Sequence, residues 1–181
     1  MNHGPFLYRL AREADIPALQ ALIPLSVRGL QAAFYTQEQM EGALGTVFGV
    51  DSQLIRDRTY LVAETQEGQL VGCGGWSKRK TAYGSDRAKS GDDPLRDPAT
   101  EPAMIRAFFV HPDFARRGIG RSIMAWCETE AREAGFTATE IVATLAGEPL
   151  YATFHFVVVE SFSITLANGA HLPVVRMRKR P

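Results

Sequence analysis

Arg116-Arg117-Gly118-Ile119-Gly120-Arg121-Ser122 is the stretch whose residue types and spacing best suit chemistry. It follows a strongly apolar run, Ala103–Val110, and precedes Ile123, Trp126, Cys127, Ala131 and Ala134, which recur at helical spacing. A buried strand, a glycine turn and a long helix are therefore expected in that order. Glycine carries no Cβ, so a ligand can lie against the main chain at Gly118 and Gly120. The first turn of a helix leaves N–H groups without intrahelical partners, and its end of the dipole is positive. A phosphate or pyrophosphate suits such a place, and the three arginines add charge beside it. The plainer reading is that two glycines only let strand and helix pack closely. A nucleotide P-loop would need G-x-x-x-x-G-K-S/T, which does not occur. The dinucleotide fingerprint G-x-G-x-x-G fails as well, because Gly118-Ile119-Gly120 runs on to Ile123.

The elements that would position this turn can be read along the chain. Residues 6–10 form an apolar opening strand, and Asp15 caps a helix carrying Ile16, Leu19, Leu22 and Ile23. Pro24 is expected to break that helix near Ile23, with a second short helix over 25–33. Thr36 and Gln39 have the spacing of a capping box, and 42–49 reads as loose. Strands over 59–64 and 70–76 make a hairpin across Gln66-Glu67-Gly68-Gln69. Gly72, Gly74 and Gly75 in its second strand suggest a bulge or a close backbone approach. Residues 81–102 read as one long loop. The 103–110 run reads as a central strand buried on both faces, and Gly135 stops the helix that follows it. A strand over 139–145, a short helix over 147–154 and a final hairpin around Asn168-Gly169 complete the order.

Composition bounds the rest. A chain of 181 residues is by default one domain, 1–181, with the 81–102 loop inside it. Twenty Lys and Arg balance twenty Asp and Glu, which argues against a general nucleic-acid binder. Cys73 and Cys127 are too few for a disulfide framework and lack zinc spacing. A reducing, cytoplasmic setting is the expectation, with both cysteines as packing residues. His3 and His171 have no partners that suggest a metal. No apolar run reaches the length of a membrane span, and the charged N-terminus is unlike a signal peptide. Val157-Val158-Val159 could leave an apolar edge that pairs with a second copy, a homodimer.

Two segments resemble a known family. Val110-x-Pro112-x-x-Ala115-x-x-Gly118-Ile119-Gly120 is similar to the acyl-CoA pyrophosphate motif of the GCN5-related N-acetyltransferases, the GNAT family. That motif is Q/R-x-x-G-x-G/A after a hydrophobic strand, and Ala115 stands here at the Q/R position. Pro149-Leu150-Tyr151-Ala152-Thr153-Phe154-His155-Phe156 resembles the family's F-Y-x-x-x-G-F segment, with His155 in place of glycine. The order of elements matches from Leu7 to about Met177, nearly the whole chain.

The resemblance implies an α/β (α+β) fold: a mixed, mostly antiparallel central sheet flanked by helices, with a splayed strand pair that admits acyl-CoA. It implies acetyl transfer from acetyl-CoA, without a metal, to a primary amine of a small molecule or peptide, by direct attack. The amides of Arg116, Arg117, Gly118, Ile119, Gly120, Arg121 and Ser122 would hold the pyrophosphate. Phe108, Phe109 and Val110 would line pantetheine and the thioester, and Thr144 would bond pantetheine. A main-chain N–H near Val110 would polarise the acetyl carbonyl. Tyr151 sits at the position of the family's tyrosine, which can protonate the leaving thiolate. Candidate bases for the amine are Glu101, Asp92, Asp93 and Asp97, though each reads first as a solvated surface carboxylate. His111 reads first as a turn residue. Arg28, Tyr35, Trp76 and Tyr83 are candidate acceptor contacts on the same analogy. Two other readings stand beside this one: a non-catalytic acyl-CoA sensor or scaffold, and a nucleotide-dependent enzyme using the same glycine turn.

Overall fold

A computed structural model describes residues 2–180. Its strands are β1 (Asn2–His3), β2 (Phe6–Leu10), β3 (Tyr60–Glu64), β4 (Leu70–Ser77), β5 (Ala103–Val110), β6 (Thr139–Thr144), β7 (Val157–Thr165) and β8 (His171–Lys179). The helices are α1 (Ile16–Leu30), α2 (Gln37–Ala43), α3 (Ser52–Arg56), α4 (Ile119–Glu133) and α5 (Glu148–Ala152). The strands make one sheet in the order β1-β2-β3-β4-β5-β6-β8-β7. Every pairing is antiparallel except β5 with β6, so the expected mixed, mostly antiparallel sheet is what forms. Two apolar clusters cover its faces. Ile119, Ile123, Met124 and Cys127 of α4 pack on one side, and Leu19, Leu22, Ile23 and Val27 of α1 pack on the other.

Helix α1 departs from the sequence reading. It runs unbroken through Pro24 instead of stopping at Ile23, and no second helix covers 25–33. Proline inside a helix removes one hydrogen bond and costs about 3 kcal/mol. Leu22, Ile23, Ser26 and Val27 flank it and are all buried, and burying three apolar side chains at about 1.5–3 kcal/mol each exceeds that cost. Helix α3 was not foreseen; Asp51 starts it by accepting from the Gln53 N–H at 3.1 Å. At α2 the expected capping box between Thr36 and Gln39 is present in both directions.

Strand β5 is buried continuously over Ala103–Arg106, and beyond that only at Phe109. It pairs with β6 at Ala103, Met104 and Ile105, and beyond Ile105 the two strands part. On its other side the register against β4 shifts: Cys73 faces Phe109 and Gly75 faces Arg106, so Gly74 alone faces Ala107 and Phe108. Such a two-against-one bulge bends the strand and strengthens its twist. β6 meanwhile stays paired to β8 as far as Thr144. The result is a V-shaped opening between β5 and β6, with α5 at its upper end.

Candidate active site

The glycine turn lies where β5 hands over to α4. Arg116 and Gly118 both take left-handed backbone, φ 63° and 88°. A Cβ at Gly118 would meet nothing within 4 Å, so the main chain there is open on its outer face. The first helical bond of α4 runs from the Ser122 N–H to the Gly118 carbonyl. The N–H groups from Arg116 to Arg121 meet no backbone or side-chain acceptor among the described residues. Six consecutive unpartnered donors lie on one turn, an arrangement suited to an anion. Ser122 differs from the expectation: its amide is consumed by the helix, leaving its hydroxyl. Gly120 is held for a different reason, since a Cβ there would press on Leu150 of α5 at 3.1 Å. Arg116, Arg117 and Arg121 are exposed. Arg117 lies over the Phe114 ring at 5.2 Å and Arg121 over Phe154 at 5.5 Å, so aromatic rings hold two of the charges beside the turn.

The opening between β5 and β6 is a cleft of about 690 Å3, counting the open solvent at its mouth. Phe108, Phe109, Thr144 and Tyr151 all line it. Phe108 and Tyr151 meet edge to face at 5.9 Å. Phe109 points the other way, into the α1-side core, with its ring 6.2 Å from Phe48. Tyr151 is 5% exposed and bonds no described residue through its hydroxyl. Burial holds its phenol well above the ordinary range. Thr144 Oγ1 accepts the Gly147 N–H at 3.1 Å, closing the turn that carries α5. Val110 donates its N–H to Ser26 Oγ at 3.0 Å. The Val110 N–H expected to polarise a carbonyl is thus already bonded, while Ala107 and Phe108 lie in the bulge and line the cleft.

The other sequence candidates separate clearly. Glu101 lies at the start of β5, the end farthest from Val110, and pairs with Lys80, which lowers its carboxyl pKa. Asp97 lies beside it, its N–H bonded to Glu101 Oε2 at 2.8 Å. Asp92 and Asp93 line a second, shallower depression with Arg79 and Lys89. None of the four carboxylates lines the cleft. His111 caps a short turn through Nδ1, which accepts the Asp113 N–H at 3.2 Å. Tyr35 is structural: its hydroxyl donates to the Pro173 carbonyl at 2.7 Å and accepts the Leu145 N–H at 2.9 Å, tying β6 to β8. Trp76 is buried against Phe136, and Arg28 pairs with Glu41 on the surface. Of the proposed acceptor contacts, only Tyr83 lines the cleft. Cys73 and Cys127 are fully buried, and burial raises both thiols, Cys73 to about 12. Neither thiol has the depressed pKa of an activated nucleophile.

Sequence reasoning missed what closes the far side. Arg106, the one charge in the apolar β5 run, is 4% exposed and meets Asp51 Oδ2 at 3.0 Å. It also donates to the carbonyls of Thr81 at 3.2 Å and Gly84 at 2.6 Å. Lys89 adds a second cation to Asp51. Ser85 and Asp86 fasten the same stretch to the Thr46 and Val50 carbonyls. The first part of the long loop is thereby pinned over the cleft, where Ala82, Tyr83 and Gly84 form its wall. A lone arginine in a strand was the available signal, since a buried charge must find a partner.

Among the described residues no helix is long and apolar enough to cross a membrane, and no cluster of His, Cys, Asp and Glu could hold a metal ion. No curated protein matches the chain in sequence. The fold is similar to that of a GCN5-related N-acetyltransferase of Rhodopseudomonas palustris, at 20% identity and TM-score 0.71, covering 100% of this chain and 99% of that one. It is similar to the PaiA N-acetyltransferase of Thermoplasma acidophilum, solved in complex with coenzyme A, at 13% identity and TM-score 0.64, covering 97% and 99%. An N-acetyltransferase of Staphylococcus aureus Mu50 matches at 13% identity and TM-score 0.62, covering 97% and 98%. The acetyltransferase (GNAT) domain family matches residues 56–158, more than half of the chain, from just before β3 through the glycine turn and Tyr151 into β7. The chain belongs to the GNAT acetyltransferase family.

Proposed function

We propose that this protein transfers an acetyl group from acetyl-CoA to a primary amine of a small molecule or peptide, as one domain over residues 1–181. The observations that carry the reading are the six unpartnered N–H groups at the start of α4 and, where β5 and β6 part, a cleft lined by Phe108, Thr144 and Tyr151. The amides of Arg116 to Arg121 would bind the pyrophosphate, with the three arginines and Ser122 Oγ around it. Phe108, Phe109, Val110 and Thr144 would line pantetheine where β5 and β6 part. The coenzyme A complex of PaiA, a protein of the same fold, supports this placement.

The chemistry follows from the lining. The amine nitrogen attacks the thioester carbonyl carbon, and N–H donors of the bulge stabilise the charge that develops on oxygen. The C–S bond breaks, Tyr151 O–H gives its proton to sulfur, and the proton lost by the amine replaces it. A thiol pKa near ~8.5 lies below that of a phenol raised by burial, so the transfer is uphill by itself and the amine's proton completes it. The same burial keeps Tyr151 protonated, and so a donor, up to its ordinary pKa near ~10 and beyond. The exposed valines of β7, Val157, Val158 and Val159, support a second copy as a further partner.

The test is release of free thiol from acetyl-CoA over a panel of amines. Tyr151→Phe should lower kcat by about 10²–10⁴-fold, the span of general acid catalysis, and leave coenzyme A affinity within a few-fold. Unchanged kcat would remove Tyr151 from the mechanism. Coenzyme A binding without turnover on any amine would favour the non-catalytic sensor.

A further inference from the structure

Gln31 lies just past the end of α1, in the wall of the cleft that Phe108 and Tyr151 also line. It is 7% exposed, and its Oε1 is buried without a hydrogen-bond partner. A buried amide oxygen left unpaired destabilises the protein that carries it, and a ligand N–H in the cleft would supply the missing partner. The wall around it contains Phe48, Tyr83, Gly84 and Arg106, and no carboxylate lines the cleft. Among the described residues the one charged side chain that lines the cleft is Arg106, which is paired with Asp51, so an entering ammonium finds no free counter-charge in the wall.

We propose that Gln31 is the acceptor-selecting residue of this cleft: its amide oxygen accepts an N–H from a neutral primary amine, and the carboxylate-free wall favours weakly basic α-amino groups over lysine-like ε-amines. The inference rests on the acetyltransfer reading and specifies its substrate class. An α-amino group has a pKa of roughly 7.7–8.0 and a lysine side chain about 10.4. At pH 7.5 roughly a third of the former is neutral, against about one part in 800 of the latter. A pocket that cannot pair an ammonium must draw on the neutral fraction alone. The greater nucleophilicity of the stronger base offsets part of that gap, and a preference above tenfold remains.

The experiment compares alaninamide, a free α-amine, with Nα-acetyl-lysinamide, a free ε-amine, by thiol release at pH 7.5 and across pH 6.5–10. The wild-type protein should favour alaninamide by more than tenfold in kcat/KM, and the preference should shrink as pH approaches 10. Gln31→Leu should raise the alaninamide KM more than tenfold while the acetyl-CoA KM holds. Because it removes an unpaired buried oxygen, it should also raise Tm by about 2–4 °C, whereas loss of a merely structural glutamine would lower Tm. Gln31→Glu should lower the KM of the ε-amine by supplying the missing counter-charge. Equal use of both amines at pH 7.5, or an alaninamide KM within twofold in Gln31→Leu, overturns the assignment and leaves acetyl transfer standing. Coenzyme A binding with no thiol release from any amine overturns both.

Discussion

His155 shows how a single residue carries the family pattern in its backbone even where its identity departs. It occupies the glycine position of the Tyr151 segment, and its φ is 67°. Left-handed backbone costs an ordinary residue about 1–2 kcal/mol, and glycine avoids that cost while losing about 0.5–1 kcal/mol in chain entropy. The two nearly cancel, so His155→Gly should change unfolding free energy by less than about 1 kcal/mol. His155→Val, β-branched and poorly suited to positive φ, should lose more than about 1 kcal/mol by urea denaturation. A larger loss in the glycine variant than in the valine variant would mean that the imidazole, not the backbone, is what matters. Tyr151 and Phe108 illustrate the same scale from the side of chemistry. Their types and numbers are plain in the chain, but the edge-to-face contact that brings them into one cleft joins residues 43 positions apart.

At the scale of elements the decisive feature is the β5 bulge. Ala107 takes φ 57°, and the buried Tyr60 hydroxyl donates to its carbonyl at 3.1 Å. Across from it, a Cβ on Gly74 would come within 2.8 Å of the Phe108 ring and 2.9 Å of Ile123. The missing side chain is what lets Phe108 lie down between β4 and α4 and face Tyr151. Gly74→Val should cost about 1–3 kcal/mol by overpacking and raise the acetyl-CoA KM by tilting Phe108 into the cleft. A variant that is destabilised with unchanged KM would separate packing from binding and count against this account. The cluster of Gly72, Gly74 and Gly75 made the bulge legible in the sequence, and the helix start of α4 was legible from Gly118 and its periodic apolar residues. Helix α1 was not, because local rules give Pro24 a veto that the packing of Leu22, Ile23 and Val27 overrides.

At the scale of the whole molecule, burial governs both stability and site. Cys73 is raised from 9.0 to about 12, mainly by desolvation, and the Tyr60 phenol beside it is raised too. A native pKa above the unfolded one means the contribution is fully present below pH 9 and is lost as pH rises toward 12. Stability should therefore fall between pH 9 and 11. Cys73→Ala should fall less steeply over that window, whatever its stability at pH 8; parallel curves from denaturant titrations would contradict the assignment. Length, charge balance, the glycine turn and the tyrosine segment were determined by the sequence, because local spacing and main-chain geometry express them directly. The splay of β5 from β6, the loop pinned by Arg106 and Asp51, and the unpaired Gln31 oxygen were decided only by tertiary structure. Asp51 and Arg106 are 55 positions apart, and Gln31 meets the cleft only because α1 continues past Pro24. Which polar groups are buried, and which are left without a partner, depends on contacts between distant segments that no local pattern encodes.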